Sequence, residues 1–299
     1  MTNAGVGKPG ECALNMSVAR EKEYFNMPKD GEGRKILVIG AGPAGLTAAQ
    51  TLAMRGFDVS VYEKAEKPGG QVITAAECRL KDKLYWCVED LMTAAKKAGA
   101  QIFLGTELSA EQIADMDPWG VVVATGGEPV RPRSIAGLDG KNVFTAPQII
   151  HREAVLRDQK VVVAGSGMTG LETAEILCET GNHVTVIEMA DEIAPGNWFQ
   201  LTDDEMERLS KTDTKFLTGT KLLGADETGV SVEDVKTLER KKLEADSLVL
   251  SLGVKPAGDL ARQLDKLSVR RIWRVGDALR SGTIADACHS AYDTVMSIK

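Results

Sequence analysis

An α/β fold of two domains, each built on a parallel sheet, is predicted by three features of this sequence. KILVIGAGPAGLTAAQ runs from Lys35 to Gln50, and KVVVAGSGMTGLETAE runs from Lys160 to Glu175. In each case an acid follows the first glycine by 23 residues, Glu63 after Gly40 and Glu188 after Gly165. Together these spell strand, glycine turn, helix, strand and terminal carboxylate, twice over, which predicts two Rossmann-like units.

In the first unit Ile36–Ile39 is a short apolar β-type run, followed at once by Gly40-Ala41-Gly42-Pro43-Ala44-Gly45. Leu46 to Arg55 reads as a helix closed by Gly56. The glycines have separate tasks. Gly40 permits the tight turn, Gly42 lets backbone approach a pyrophosphate, and Gly45 lets helix and strand pack closely. The helix N-terminus offers unpaired N–H groups and the positive end of its dipole to phosphates. Asp58 to Tyr62 is the second strand, and Glu63 at its end is placed to accept both hydroxyls of a ribose.

The second unit repeats the order. Val161–Ala164 is the strand, Gly165-Ser166-Gly167-Met168-Thr169-Gly170 the turn, Leu171–Thr180 the helix, and Val184–Ile187 leads into Glu188. Two such units imply two dinucleotide sites, unless the second is a copy kept for structure alone. A 2'-phosphate on the ribose calls for a basic partner, whereas Glu188 is followed by Met189, Ala190 and Asp191. NADH is therefore expected over NADPH at the second site.

Length and composition agree with two soluble domains. The 299 residues suffice for two cores, and 43% hydrophobic with 26% charged residues matches globular chains. No apolar run reaches the roughly 20 residues of a membrane helix. The opening MTNAGVGKPGEC lacks a signal-peptide core, so the expectation is a cytoplasmic protein without a membrane partner. A net charge of -7 argues against nucleic acid. The five cysteines, Cys12, Cys78, Cys87, Cys178 and Cys288, contain no C-x-x-C pair, so neither a disulfide scaffold nor a self-contained zinc or dithiol site is expected. Cys78 and Cys87, in or beside a helical stretch, read as buried or idle thiols.

Further motifs follow in order. Lys64 succeeds Glu63, and Pro68-Gly69-Gly70-Gln71 is a small-residue turn where backbone must approach something flat or bulky. Val121–Gly127 is a buried strand running through Thr125 into Gly126 and Gly127, with a counterpart in Ser247–Gly253 ahead of Lys255-Pro256. Ile272–Asp277 is a strand ending in Gly276-Asp277, before a helix from about Thr283 to Ile298. In this order GAGPAG, GGQ, VVVATGG, the second glycine fingerprint, SLGVKP and VGD resemble the two-dinucleotide-binding-domain flavoprotein family, from about Arg34 to the end of the chain.

That resemblance implies site roles. The first cradle, with Glu63, would hold the ADP half of FAD, Gly70 and Gln71 would lie along the flavin, and Asp277 would bond a ribityl or pyrophosphate group. The helix beginning near Thr283 would aim its N-terminus at the pyrimidine edge, where negative charge grows on reduction. The second cradle would be an NAD(P)H domain inserted into the FAD domain. The implied layout is a tail over 1–33, an FAD domain over 34–146 and 246–299, and an NAD(P)H domain over 147–245. The flavin carries out the hydride chemistry, so no catalytic acid or base is required of the chain. Relatives that reduce disulfides carry a C-x-x-C or C-x4-C pair by the flavin, and this chain has neither.

The N-terminal tail resembles the junction in iron-sulfur flavoenzymes related to 2,4-dienoyl-CoA reductase, enoate reductase and trimethylamine dehydrogenase. There an FMN-binding barrel and a cysteine cluster precede the two-nucleotide module. Cys12 falls where the last ligand of a [4Fe-4S] cluster would fall, shortly before Asn15, although Met16 stands where the family usually has Pro. The other cluster cysteines and the barrel are not in this sequence. The resemblance implies an FAD-dependent NADH oxidoreductase passing electrons to a partner with FMN and a cluster. Open alternatives are a free-standing NADH:acceptor reductase using ferredoxin or quinone, a non-catalytic subunit holding ADP, and, for Cys12, a free thiol in a mobile tail.

Overall fold

The computed structural model describes residues 10–299. In chain order these begin with α1 (Glu21–Phe25), β1 (Lys35–Ile39), α2 (Pro43–Met54), β2 (Asp58–Tyr62), α3 (Gln71–Ala76), α4 (Leu84–Ala98) and β3 (Gln101–Phe103). Next come α5 (Ala110–Asp115), β4 (Gly120–Val123), β5 (Gly127–Pro129), β6 (Val143–Thr145), α6 (Ala146–Ile150), β7 (Lys160–Ala164), α7 (Met168–Glu179) and β8 (His183–Ile187). The remainder are α8 (Phe199–Leu209), β9 (Lys215–Leu217), β10 (Thr220–Asp226), β11 (Gly229–Asp234), β12 (Arg240–Glu244), β13 (Ser247–Leu250), β14 (Val254–Pro256), α9 (Leu260–Lys266), β15 (Ile272–Arg274) and α10 (Ile284–Met296).

The chain forms two compact units. Among the described residues one comprises 10–76, 82–128 and 255–299, the other 77–81 and 129–254. The first is organised by a parallel sheet of order β15-β4-β1-β2-β3. Its central strands are buried on both faces, and successive side chains feed opposite cores, as the period of two requires. Ile36, Val38 and Val122 pack with Leu46, Leu52 and Tyr292 of α2 and α10. Leu37, Ile39, Val121 and Val123 pack with Ile113 of α5 and Leu264 of α9.

The second unit repeats the plan with the sheet β6-β13-β7-β8-β9. Val161 and Val163 face the core containing Leu171, Ala174 and Leu177 of α7. Val162, Leu248 and Leu250 face Leu222, Val230 and Val232 of the antiparallel sheet β10-β11-β12. One face is thus covered by helices and the other by strands. No helix among the described residues is long and apolar enough to cross a membrane.

Strand pairing places two short runs that the sequence leaves without partners. β6, close before the 147–245 segment, pairs with β13, close after it, and β13 pairs with β7, so both strands lie in the second sheet and within the compact unit of residues 77–81 and 129–254. Strand partners decide membership, and a short apolar run does not announce its partner. Residues ahead of β1 also pack within the first unit. Met16 and Met27 are buried in the first core, Arg20 pairs with Asp293, and Tyr24 stacks on Tyr292 with ring centroids 6.4 Å apart. Scattered apolar residues with no repeating period gave no sign of this packing.

Candidate functional site: two matched glycine cradles

Each cradle is explained by what its glycines would strike if they carried a side chain. At Gly40 φ is +112°, and a Cβ would collide with the Ala124 carbonyl oxygen; at Gly165 φ is +101°, and a Cβ would collide with the Ser251 carbonyl oxygen. Gly45 and Gly170 face the carbonyl oxygens of Gly40 and Gly165 just as tightly. These four glycines serve the fold. The middle glycines differ, since a Cβ on Gly42 meets nothing nearer than the Gly69 oxygen at 4.0 Å, and one on Gly167 meets nothing within 4 Å. The space before them is open at the N-termini of α2 and α7, where backbone N–H groups lack intrahelical acceptors.

The carboxylates close each turn in the same manner. Glu63 Oε2 accepts the Ala41 N–H at 2.7 Å and its Oε1 the Ala65 N–H at 2.9 Å. Glu188 Oε2 accepts the Ser166 N–H at 2.9 Å and hydroxyl at 2.8 Å, and its Oε1 the Ala190 N–H at 2.9 Å. Burial pushes the Glu188 carboxyl up, but the bonds from Ala190, Ser166 and Met189 outweigh it and hold the group below its usual range. Glu188 is therefore an anion at neutral pH. Buried Ser166, unassigned in the sequence reading, also ties the turn forward by accepting the Ala194 N–H at 2.9 Å.

Around the first cradle the remaining candidates converge. The Gly69 N–H donates to the Ala41 carbonyl at 2.9 Å, and a Cβ on Gly70 would sit 3.5 Å from Gly42 Cα, so the GGQ turn lies against the GAG turn. Gln71 Nε2 donates to Asp277 Oδ2 at 2.7 Å, and Gly276 packs on Ala44, leaving a Cβ only 2.6 Å from the Ala44 Cβ. Pro43 opens α2 at a position where its missing N–H costs nothing. Thr125 borders the Gly40 turn and donates its hydroxyl to the Ala257 carbonyl at 3.3 Å, and Gly126 accepts the Ala257 N–H at 2.9 Å. Asp277 accepts the Gly282 N–H at 3.1 Å, and burial raises its carboxyl above the ordinary value against that bond. Thr283 is the N-cap of α10, in a capping box with Asp286. Lys64 is exposed in the loop after Glu63.

At the second cradle Thr169 is exposed in the first turn of α7, its carbonyl accepting the Thr173 hydroxyl at 2.6 Å. Gly253 lies at φ +80° just beyond Ser251, the residue that abuts Gly165, and accepts the Val130 N–H at 3.0 Å. Sequence reasoning missed one cation here. Lys236 Nζ stands 3.0 Å from Asp191 Oδ1, in the loop after Glu188. No local spacing could have signalled it.

The cysteines are not bridged among the described residues. Cys78 and Cys288 are buried, and burial pushes their thiols up to about 12 and about 11. Cys87, in α4, is half-buried and likewise raised by burial. Cys12 lies beside α10. Its carbonyl lies 3.0 Å from His289 Nε2, and its sulfur accepts the Asn15 N–H at 3.4 Å. No group of metal-ligating side chains is assembled among the described residues.

Two parallel-sheet units, each with a carboxylate-closed glycine cradle, define a two-dinucleotide oxidoreductase module. Residues 34–284 match the pyridine nucleotide-disulphide oxidoreductase family, and the chain belongs to that family. It is 33% identical over 291 residues to an NADH oxidase of Thermoanaerobacter brockii, covering 96% of this chain and 44% of that protein. It is 34% identical over 245 residues to a bilirubin reductase of Mediterraneibacter gnavus, covering 82% and 37%. A 2-naphthoyl-CoA reductase superposes with a TM-score of 0.85 at 28% identity, over 96% of this chain and 43% of that one. The chain thus spans less than half the length of these relatives. It is an FAD- and NAD(P)H-dependent oxidoreductase module, similar to the nucleotide-binding region of enoate-reductase-like flavoenzymes.

Proposed function

We propose that the first cradle binds FAD, the second binds NADH, and electrons from NADH leave through this module to a partner bearing an FMN barrel and a [4Fe-4S] cluster. The observation that carries the assignment is the open face of Gly42 and Gly167 beside structurally obligatory glycines: an approach for phosphate that the fold does not need for itself. FAD supplies a two-electron acceptor that can release electrons singly, and the chain's residues bind and orient. Glu63 and Glu188 present anionic oxygens to ribose hydroxyls, the first turns of α2 and α7 face the pyrophosphates, and Gln71 and Asp277 line the flavin side. The N-terminus of α10 favours negative charge on the flavin ring.

The partner is supported by the chain's share of its relatives' length and by the position of Cys12 beside α10. Cys12 would supply one thiolate to a cluster whose other ligands lie in the partner. The test is an anaerobic titration of the purified chain with NADH. Flavin bands that bleach, without stoichiometric iron and without reduction of an enoyl substrate, support the reading; a colourless protein that retains ADP replaces it with a non-catalytic subunit. In the complex, Cys12→Ser should lower iron content and leave flavin reduction by NADH nearly unchanged. Unaltered iron would remove Cys12 from the cluster.

A further inference from the structure

A charge pair stands beside the second cradle, and the backbone explains how it arrives there. Asp234 Oδ1 accepts the N–H groups of Lys236 at 2.9 Å and Thr237 at 2.8 Å, which fixes the turn between β11 and β12. The Val235 N–H donates to the Gly219 carbonyl, the Gly219 N–H to the Ala190 carbonyl, and the Thr220 N–H to the Glu188 carbonyl, each at 2.8 Å. The turn, the β9–β10 connection and the loop after Glu188 are therefore one hydrogen-bonded assembly. It delivers Lys236 to Asp191 at 3.0 Å, both side chains about 70% exposed.

The adenosine ribose of a dinucleotide lies at the acid that ends the second strand, and a 2'-phosphate projects over the loop that follows. Here that loop is Met189, Ala190 and Asp191, with Lys236 alongside. A 2'-phosphate would meet the Glu188 carboxylate and a lysine whose charge Asp191 already balances. Glu188 alone does not describe the selectivity of such a site, because an available ammonium would offset its repulsion in part.

We propose that Asp191 is a specificity-determining residue for the nicotinamide cofactor: by pairing with Lys236 it withholds that ammonium from a 2'-phosphate and holds the site to NADH. This rests on the reading of the second cradle as the NADH site. Removing Asp191 frees a cation without adding one, and removing Lys236 as well cancels the gain.

The experiment measures dissociation constants for NADH and NADPH by calorimetry on the wild type, Asp191→Ala, Lys236→Ala and the double variant, at low and high salt. In Asp191→Ala the ratio of the NADPH constant to the NADH constant should fall roughly two- to fivefold, the size of one exposed ion pair. The fall should shrink at high salt. It should vanish in the double variant. A ratio unchanged in Asp191→Ala, or a fall that survives loss of Lys236, overturns the role of the pair while leaving the NADH site standing. Absence of NADH binding in the wild type overturns the site and the pair together.

Discussion

The Gln71 amide donates to the Asp277 carboxylate at 2.7 Å, joining residues 206 positions apart on the flank of the first cradle. Gln71 opens α3 directly after the Gly69-Gly70 turn, and Asp277 follows the glycine that packs on Ala44. The bond therefore pins two loops to the same glycine turn. Asp277→Leu would leave the Gln71 amide and the Gly282 N–H without their acceptor, a loss of about 1 kcal/mol because water can reach both exposed groups. The expected outcome is a lower melting temperature together with reduced flavin content after gel filtration. Full flavin retention would remove Asp277 from the site.

The glycines of the first cradle make opposite predictions. A side chain on Gly45 strikes the Gly40 carbonyl inside the fold, so Gly45→Val should give little soluble protein. On Gly42 the same change meets open space on the protein side, so Gly42→Val should fold, with native circular dichroism, and fail to retain flavin. Flavin retained by Gly42→Val would show that the first cradle is not the FAD site.

The cradles were legible in the sequence for a steric reason: Gly40, Gly45, Gly165 and Gly170 each answer to a backbone atom that any side chain would strike, so the spacing is forced. The terminal acids were legible because they bond the very turns they follow. What escaped was set by partners distant in the chain. β6 and β13 belong to the second sheet through pairing with neighbours that composition does not name. Lys236 reaches Asp191 only because three loops bond side by side. Likewise Glu77–Lys81 departs from its sequence neighbours to join the second unit.

That five-residue segment leads to a pH prediction. Lys81 pairs with Glu172 of α7 and stands 3.9 Å from Glu205 of α8, whose second oxygen is buried without a hydrogen-bond partner. Arg208 bonds Glu175 beside them, Nε to Oε1 at 2.6 Å. Burial pushes the Glu205 carboxyl up to about 7, because Lys81 and Arg208, themselves offset by Glu172 and Glu175, recover only part of what burial costs the charged form. A folded-state value above the unfolded one means that proton binding stabilises the fold. The contribution is complete below the ordinary value of 4.5 and is lost as pH rises to about 7. At most about 3 kcal/mol is at stake, from 1.36 kcal/mol per unit. Glu205→Gln, which keeps the neutral shape, should melt like the wild type at pH 5 and above it at pH 8. Equal melting temperatures at both values would show that Glu205 does not titrate in this range.

Arg55 makes the last stability prediction. It ends α2 at 1% exposure, with Nε and Nη2 on the two oxygens of Asp30 at 3.0 and 2.6 Å, Nη2 also on the Ile298 carbonyl at 2.7 Å, and Nη1 on the Val295 carbonyl. Its charge thus serves a bidentate carboxylate and the carbonyl end of α10, where the helix dipole favours a cation. The guanidinium hydrogen bonds hold the Asp30 carboxyl below its usual value, so the pair stabilises above about pH 4 and fails in acid as Asp30 takes up its proton. Arg55→Met keeps much of the packing volume but takes the guanidinium from the Ile298 carbonyl, leaves the Val295 carbonyl to the Ile298 N–H at 3.2 Å, and removes the partner of Asp30. A loss of about 3 kcal/mol is expected, the upper end for charge-assisted hydrogen bonds of a buried group, since the Asp30 carboxylate left behind is exposed enough to be solvated. Asp30→Asn should cost less, because Asp30 is partly exposed and Arg55 keeps its carbonyl bonds. Urea unfolding followed by tryptophan fluorescence, which reports Trp119 and Trp273 of the same unit, measures both. If Arg55→Met and Asp30→Asn unfold at the same urea concentration, the helix carbonyls contribute nothing and the arginine serves Asp30 alone.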